Sequence, residues 1–108
     1  MIQSFKVDRY ELVYGSRLDS LPFNNIFVHS YCTLICYGGG MQLYVYFLTP
    51  ESADGKPGTE LSKNRGSMTM PMSSLDGILN LLEDARDTYG VIRDDNPNWN
   101  VLTTNPNL

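Results

Sequence analysis

Ile26-Phe27-Val28-His29-Ser30-Tyr31-Cys32-Thr33-Leu34-Ile35-Cys36-Tyr37, then Gly38-Gly39-Gly40, then Met41-Gln42-Leu43-Tyr44-Val45-Tyr46-Phe47-Leu48 is the stretch that decides the fold. Its first part alternates with period two. Ile26, Val28, Ser30, Cys32, Leu34 and Cys36 make one small, dry face, and Phe27, His29, Tyr31, Thr33, Ile35 and Tyr37 make the other. That is the pattern of a β-strand, whose successive side chains point to opposite faces. The three glycines supply positive φ for a tight reversal. Met41, Leu43, Val45 and Phe47 then continue the dry face on the returning strand, while Gln42, Tyr44 and Tyr46 continue the aromatic one. The two strands are expected to pair.

Working outward, residues 4–14 read as a first strand, with Phe5, Val7 and Val13 on one side and Tyr10, Leu12 and Tyr14 on the other. Residues 15–25 carry Pro22 and Asn24-Asn25 and read as a loop. Residues 49–65 hold Pro50, Asp54-Gly55, Pro57-Gly58 and Asn64 and read as a long polar loop, a length often tied to function. A fourth strand is expected over 66–72, where Met68, Met70 and Met72 alternate with Ser67, Thr69 and Pro71. Pro71 marks its end, since proline cannot donate to a ladder.

A helix follows. Ser73 or Ser74 suits an N-cap, and Asp76 in the first turn complements the helix dipole. Leu75, Ile78, Leu79, Leu82, Ala85 and Tyr89 recur at three- to four-residue spacing, and Gly90 is a stop signal. The residues after it contain Asn96-Pro97-Asn98 and Asn105-Pro106-Asn107 and read as a turn-rich tail whose middle, near Trp99, Val101 and Leu102, docks on something. The expected organisation is one domain over 1–90 with an extended tail over 91–108. Its class is α+β: a four-stranded antiparallel sheet with one C-terminal helix on one face. A helix of about 16 residues is about 24 Å long and covers one sheet face, not both.

The 108 residues fit one domain with a modest core, and the 42% hydrophobic content sets the chain apart from disordered sequences. The net charge of −4 lies in the C-terminal third. Residues 1–72 balance Lys6, Arg9, Arg17, Lys56, Lys63 and Arg65 against an equal number of acids, whereas 73–108 set only Arg86 and Arg93 against Asp76, Glu83, Asp84, Asp87, Asp94 and Asp95. That balance argues against tight non-specific duplex binding. No apolar run reaches a membrane span, and the N-terminus lacks the basic-then-apolar order of a signal peptide. The expected compartment is therefore cytoplasmic, with Cys32 and Cys36 reduced. In a strand those two lie roughly 13 Å apart, too far for a disulfide.

The aromatic face is the leading functional signal. Tyr10, Tyr14, Tyr31, Tyr37, Tyr44 and Tyr46 all fall in expected strands. Exposed rings on a sheet can stack unpaired bases, each contributing roughly 1–3 kcal/mol. The alternative is that the rings pack across strands or against a second subunit. Lys56, Lys63 and Arg65 could track a phosphate backbone, or they could be ordinary cations of a solvated loop. His29 could add a hydrogen bond on the same face. It points away from Cys32 in a regular strand, so neither a metal site nor a Cys-His pair forms without a bulge. The triple glycine lacks the following helix and Gly-Lys-Ser/Thr pattern of a phosphate loop. No nucleophile, base and orienter can be assembled, so the chain is expected to be non-enzymatic and to need no cofactor.

Tyr44-Val45-Tyr46, the loop Asp54-Gly55-Lys56-Pro57-Gly58, the run Lys63-Asn64-Arg65-Gly66-Ser67-Met68-Thr69-Met70 and the helix Leu75–Tyr89 together resemble the DNA-binding half of the positive-cofactor type of transcriptional coactivator. Pur-repeat and Whirly proteins share that ββββα plan. The resemblance spans about residues 26–89 and is architectural. It implies a curved sheet backed by a helix, self-assembly, and strand and loop residues that hold single-stranded DNA or RNA. Two functions are therefore expected to compete. One is a single-stranded nucleic-acid-binding module using Tyr31, Tyr37, Tyr44, Tyr46, His29, Lys56, Lys63 and Arg65. The other is a protein-interaction or inhibitory module docking through the aromatic face or the acidic helix. Dimerisation is expected under both.

Overall fold

The computed structural model describes residues 1–21, 26–49, 57–84, 87–96 and 99–105, with backbone alone for 16–21 and 26–29. Eight strands and one α-helix are described, in order: β1 Ile2–Lys6, β2 Arg9–Leu21, β3 Ile26–Gly38, β4 Met41–Leu48, β5 Thr59–Glu60, β6 Arg65–Pro71, α1 Leu75–Glu83, β7 Tyr89–Arg93 and β8 Val101–Thr103, with short 3-10 turns at Leu61–Lys63 and Met72–Ser74. The class is α+β, mostly strands with one short helix.

The β3–β4 hairpin forms as expected. Cys36 pairs with Leu43, Leu34 with Val45 and Cys32 with Phe47 on the dry face, and all six are essentially inaccessible to solvent. Gly38 faces Met41 across the turn, and Gly39 and Gly40 adopt φ of 55° and 76°. Two consecutive left-handed residues match the right-handed twist of the strands they join, and glycine adopts them without a Cβ penalty.

The single four-stranded antiparallel sheet is not what forms. The strands make a five-stranded sheet, β2-β3-β4-β6-β5, and a three-stranded one, β1-β7-β8. β6 runs parallel to β4, from Gln42 beside Arg65 to Leu48 beside Pro71. The long 49–64 connection makes this possible, because parallel neighbours need a crossover of a dozen or more residues. Two residues of that connection, Thr59 and Glu60, pair antiparallel with Gly66 and Arg65 and form the far edge.

The expected first strand is split in two. At Val7 and Asp8 the backbone turns outward: Val7 N–H donates to the Thr88 carbonyl, and Asp8 N–H to that of Tyr37. β1 thereby leaves for the small sheet. The expected 15–25 loop is strand as far as Leu21, since residues 17–21 pair with 26–30. Pro22 to Asn25 lie outside the described residues.

The helix ends at Glu83, earlier than its apolar spacing indicated, because Asp84 is extended. Thr88 Oγ1 donates to the Leu81 carbonyl in the last turn. Ser74 stands at the N-cap but makes no side-chain capping bond, while Asp76 does sit in the first turn. Tyr89 and Gly90 open β7 instead of closing the helix. β7 is the middle strand of the small sheet, so the expected extended tail supplies part of β7 and all of β8.

One core results. Phe5 and Ile92 from the small sheet and Leu75 from α1 join the dry face of β3 and β4. Ile78, Leu79 and Leu82 complete the helical stripe against it. The helix and the small sheet thus both pack on the dry side. Among the described residues no helix is long and apolar enough to cross a membrane.

Candidate interaction face

The opposite side of the large sheet carries Thr33, Ile35 and Tyr37 from β3, level with Tyr46, Tyr44 and Gln42 of β4. It is not a uniform platform of rings. Tyr46 is only 5% exposed and packs with buried Leu48 and half-buried Tyr44. The rings of Tyr44 and Tyr46 stack at 6.2 Å between centroids, 24° from parallel. Tyr44 O–H donates to Gln42 Oε1 at 2.7 Å.

Tyr37 is capped by charge. The Arg9 guanidinium lies 4.0 Å from its ring centroid and bonds Glu11 at 2.9 Å. Burial raises the Tyr37 phenol above its ordinary value; Glu11 and Tyr44 add to that, and Arg9 opposes it. Tyr10 belongs to the other side. It sits level with Cys36, packs on the core and donates to Glu83 Oε1 at 3.4 Å. Burial is the main cause of its raised pKa, with the Glu83 carboxylate second. Tyr14 is level with Cys32 and 64% exposed.

On the tyrosine side Tyr31 stands open, 43% exposed. Its position follows from the curvature of the sheet. Between two matched levels, β4 advances one residue (Phe47 to Leu48), β3 two (Cys32 to Ser30) and β2 three (Tyr14 to Arg17). The strands fan apart there, and bulges of this kind bend a sheet and re-aim a side chain. Tyr31 is the extra residue of β3 against β4. Gly15, at φ 141°, falls in the longest arc.

Beside Tyr31 lies a cleft of about 350 Å³, lined also by Leu48, Thr49, Thr69 and the Met70-Pro71-Met72 run. Among the described residues no charged one lines it. Thr49 is buried, and its hydroxyl has no hydrogen-bond partner; Thr33 shares that condition. An unmatched buried hydroxyl costs about 1–3 kcal/mol. The cleft can take an apolar group. Its described lining is apolar apart from the hydroxyls of Tyr31, Thr49 and Thr69.

The expected cations are placed unevenly. Lys63 and Arg65 converge on one carboxylate: Glu60 Oε1 is 2.7 Å from Arg65 Nη2, 2.9 Å from Arg65 Nε and 4.0 Å from Lys63 Nζ. Arg65 is level with Gln42 and so shares the tyrosine face. Lys56 lies outside the described residues. His29 is level with Leu18 in the backbone ladder, and its side chain lies outside the described residues. The β3 register does shift between Ser30 and Cys32, next to it. Both cysteines are free and buried; burial raises both thiols, that of Cys36 to about 12. Among the described residues no group of three His, Cys, Asp or Glu is placed to hold a metal ion.

The structure therefore brings together Tyr37, Tyr44, Tyr46 and Arg65 on one face and sets Tyr31 at its bulged end. The methionine cleft was not expected as a site. Its signal was the Met68, Met70 and Met72 alternation, read first as core filling, though methionine also suits adaptable contact surfaces; Met70 and Met72 line the cleft. The bulge's sequence signal was Gly15, since a glycine inside a strand often marks one. Comparison with protein-family models, curated proteins and solved structures found no match.

Proposed function

We propose that this chain is a non-enzymatic protein-interaction module that docks an apolar-anchored segment of a partner protein in the Tyr31 cleft. The observation that carries this reading is the cleft itself: an open aromatic ring over Leu48, Met70, Pro71 and Met72, with no charge in its described lining. A ring that is apolar in body and polar at its tip is the type of residue that anchors interfaces. Methionine adapts its shape to what binds.

The charges around the tyrosine face support a protein partner over a nucleic acid. Arg9 is bonded to Glu11, and Arg65 and Lys63 share Glu60. Phosphate contacts would have to displace those carboxylates. Single-stranded nucleic acid is the second reading, favoured by the exposed ring of Tyr31.

A displayed library of random peptides separates the two. Selection of peptides with a shared aliphatic or aromatic anchor, whose binding falls at least about tenfold in Tyr31→Ala, supports docking. Salt-steep binding of a single-stranded oligonucleotide, with no peptide recovered, supports the second reading instead.

A further inference from the structure

The chain holds five methionines, and their surroundings differ. Met70 and Met72 line the Tyr31 cleft, one on each side of Pro71 in sequence. Met68 lies two residues earlier on the same strand, level with Val45 as Met70 is level with Phe47. All three are half-buried and pack on the core, but Met68 is not part of the cleft lining. The cysteines do not compete for a peroxide. Cys32 and Cys36 are buried, and burial keeps both thiols protonated at neutral pH, whereas the thiolate is the reactive form. A thioether needs no deprotonation, so its reaction depends on access.

We infer that Met70 and Met72 form a peroxide-modification site whose oxidation to the sulfoxide switches docking off, a regulation that rests on the docking reading above. The sulfur lone pair attacks one oxygen of hydrogen peroxide and the O–O bond breaks. The departing hydroxide takes the proton from the transferred oxygen and leaves as water. Sulfur loses two electrons and the peroxide gains them. The step is reversible through a sulfoxide reductase: two thiols become a disulfide, the thioether returns and the oxygen leaves as water.

The consequence for the cleft follows from polarity. Oxidation turns a flexible apolar side chain into a polar one with a strong acceptor oxygen. Met70 and Met72 supply much of the apolar lining, beside Leu48 and Pro71. An apolar anchor pressed against the sulfoxide would bury that oxygen away from water without a donor, which is costly. Oxidation of Met68 places its oxygen outside the cleft lining, so it serves as the comparison within the same strand. Met1, the exposed methionine at the start of the chain, is a second comparison, far more open than the cleft pair.

The test treats the folded protein with dilute hydrogen peroxide and follows each methionine by peptide mass spectrometry. Docking of a peptide selected from the displayed library is measured alongside, with folding checked by circular dichroism. Met70 and Met72 oxidise at least about threefold faster than Met68. Docking falls at least about tenfold in step with sulfoxide at 70 and 72, and returns after treatment with dithiothreitol and the two sulfoxide reductases of opposite epimer preference. The variant carrying Met41→Leu and Met68→Leu, volume-conserving changes outside the cleft, shows the same response. Docking that survives full oxidation of both cleft methionines overturns the proposal. So does a loss that tracks Met1 or Met68, that fails to reverse, or that comes with unfolding. If oxidised protein still docks the peptide in a Tyr31-dependent way, the switch falls and the docking reading stands. If no selected peptide depends on Tyr31, the docking reading falls and the switch falls with it.

Discussion

The side-chain amide of Asn100 lies 3.0 Å from the carbonyl oxygen of Ser67, and so ties the segment before β8 to β6. The same nitrogen reaches the Gly58 carbonyl at 3.1 Å and Thr59 Oγ1 at 2.9 Å, while its oxygen accepts from Arg93 N–H at 2.9 Å. Asn100 is buried. One amide therefore satisfies groups from both sheets and from the turn ahead of β5.

Asn100→Ala should destabilise the fold by about 2–4 kcal/mol, since it leaves several buried polar groups without a partner. Asn100→Asp should be at least as damaging. A carboxylate cannot donate, and it would face three oxygens in a buried site. Urea unfolding followed by circular dichroism checks both, and a loss below about 0.5 kcal/mol for either would contradict the role given to this residue.

Gly66→Ala should cost about 1–3 kcal/mol by overpacking. A Cβ there would stand 2.7 Å from Ile92 Cγ2 and 3.2 Å from Asn100 Nδ2. Ile92 is fully buried and has no room to withdraw. Combined with Ile92→Ala, the substitution should cost less than the sum of the two single changes, because the clashing methyl is gone. Strict additivity in a double-mutant cycle would refute the contact.

Cys36 gives a pH dependence with a definite sign. Its thiol is held at about 12 by burial, against an ordinary 9.0. The folded pKa is raised, so the associated stability is complete below about pH 9 and is lost as pH rises towards 12. Over that window the unfolded chain releases a proton that the native state keeps. Tyr10 and Tyr37, also raised from 10.0, add the same sign at the upper end. The urea midpoint should fall between about pH 8 and pH 10.5, less steeply in Cys36→Ala. A thiol reagent should reach Cys36 only on unfolding; prompt reaction in the native state would be the contrary result.

The β3–β4 hairpin was legible because its period-two alternation and its glycines are local signals. Direction is not local. The 66–72 pattern looks the same whether the strand runs parallel or antiparallel to β4, and only the crossover decides. Tyr89 fell at helical spacing from Leu82, yet Gly90-Val91-Ile92 behind it is equally good strand, and packing of Phe5 against Gly90 settled the matter: a Cβ at Gly90 would stand 2.6 Å from that ring. Tyr31 and Tyr46 differ only in curvature and covering, which no spacing encodes. Asn100 reads in the sequence as one more asparagine of a turn-rich tail.

The most direct check of docking is an amide chemical-shift map of the protein titrated with a selected peptide. The account predicts that the largest changes fall at Tyr31, Leu48, Thr49, Thr69, Met70 and Met72, and that they vanish in Tyr31→Ala while its own spectrum stays that of a folded chain. Changes centred elsewhere, such as on α1 or around Glu60 and Arg65, or changes that persist in Tyr31→Ala, would contradict it.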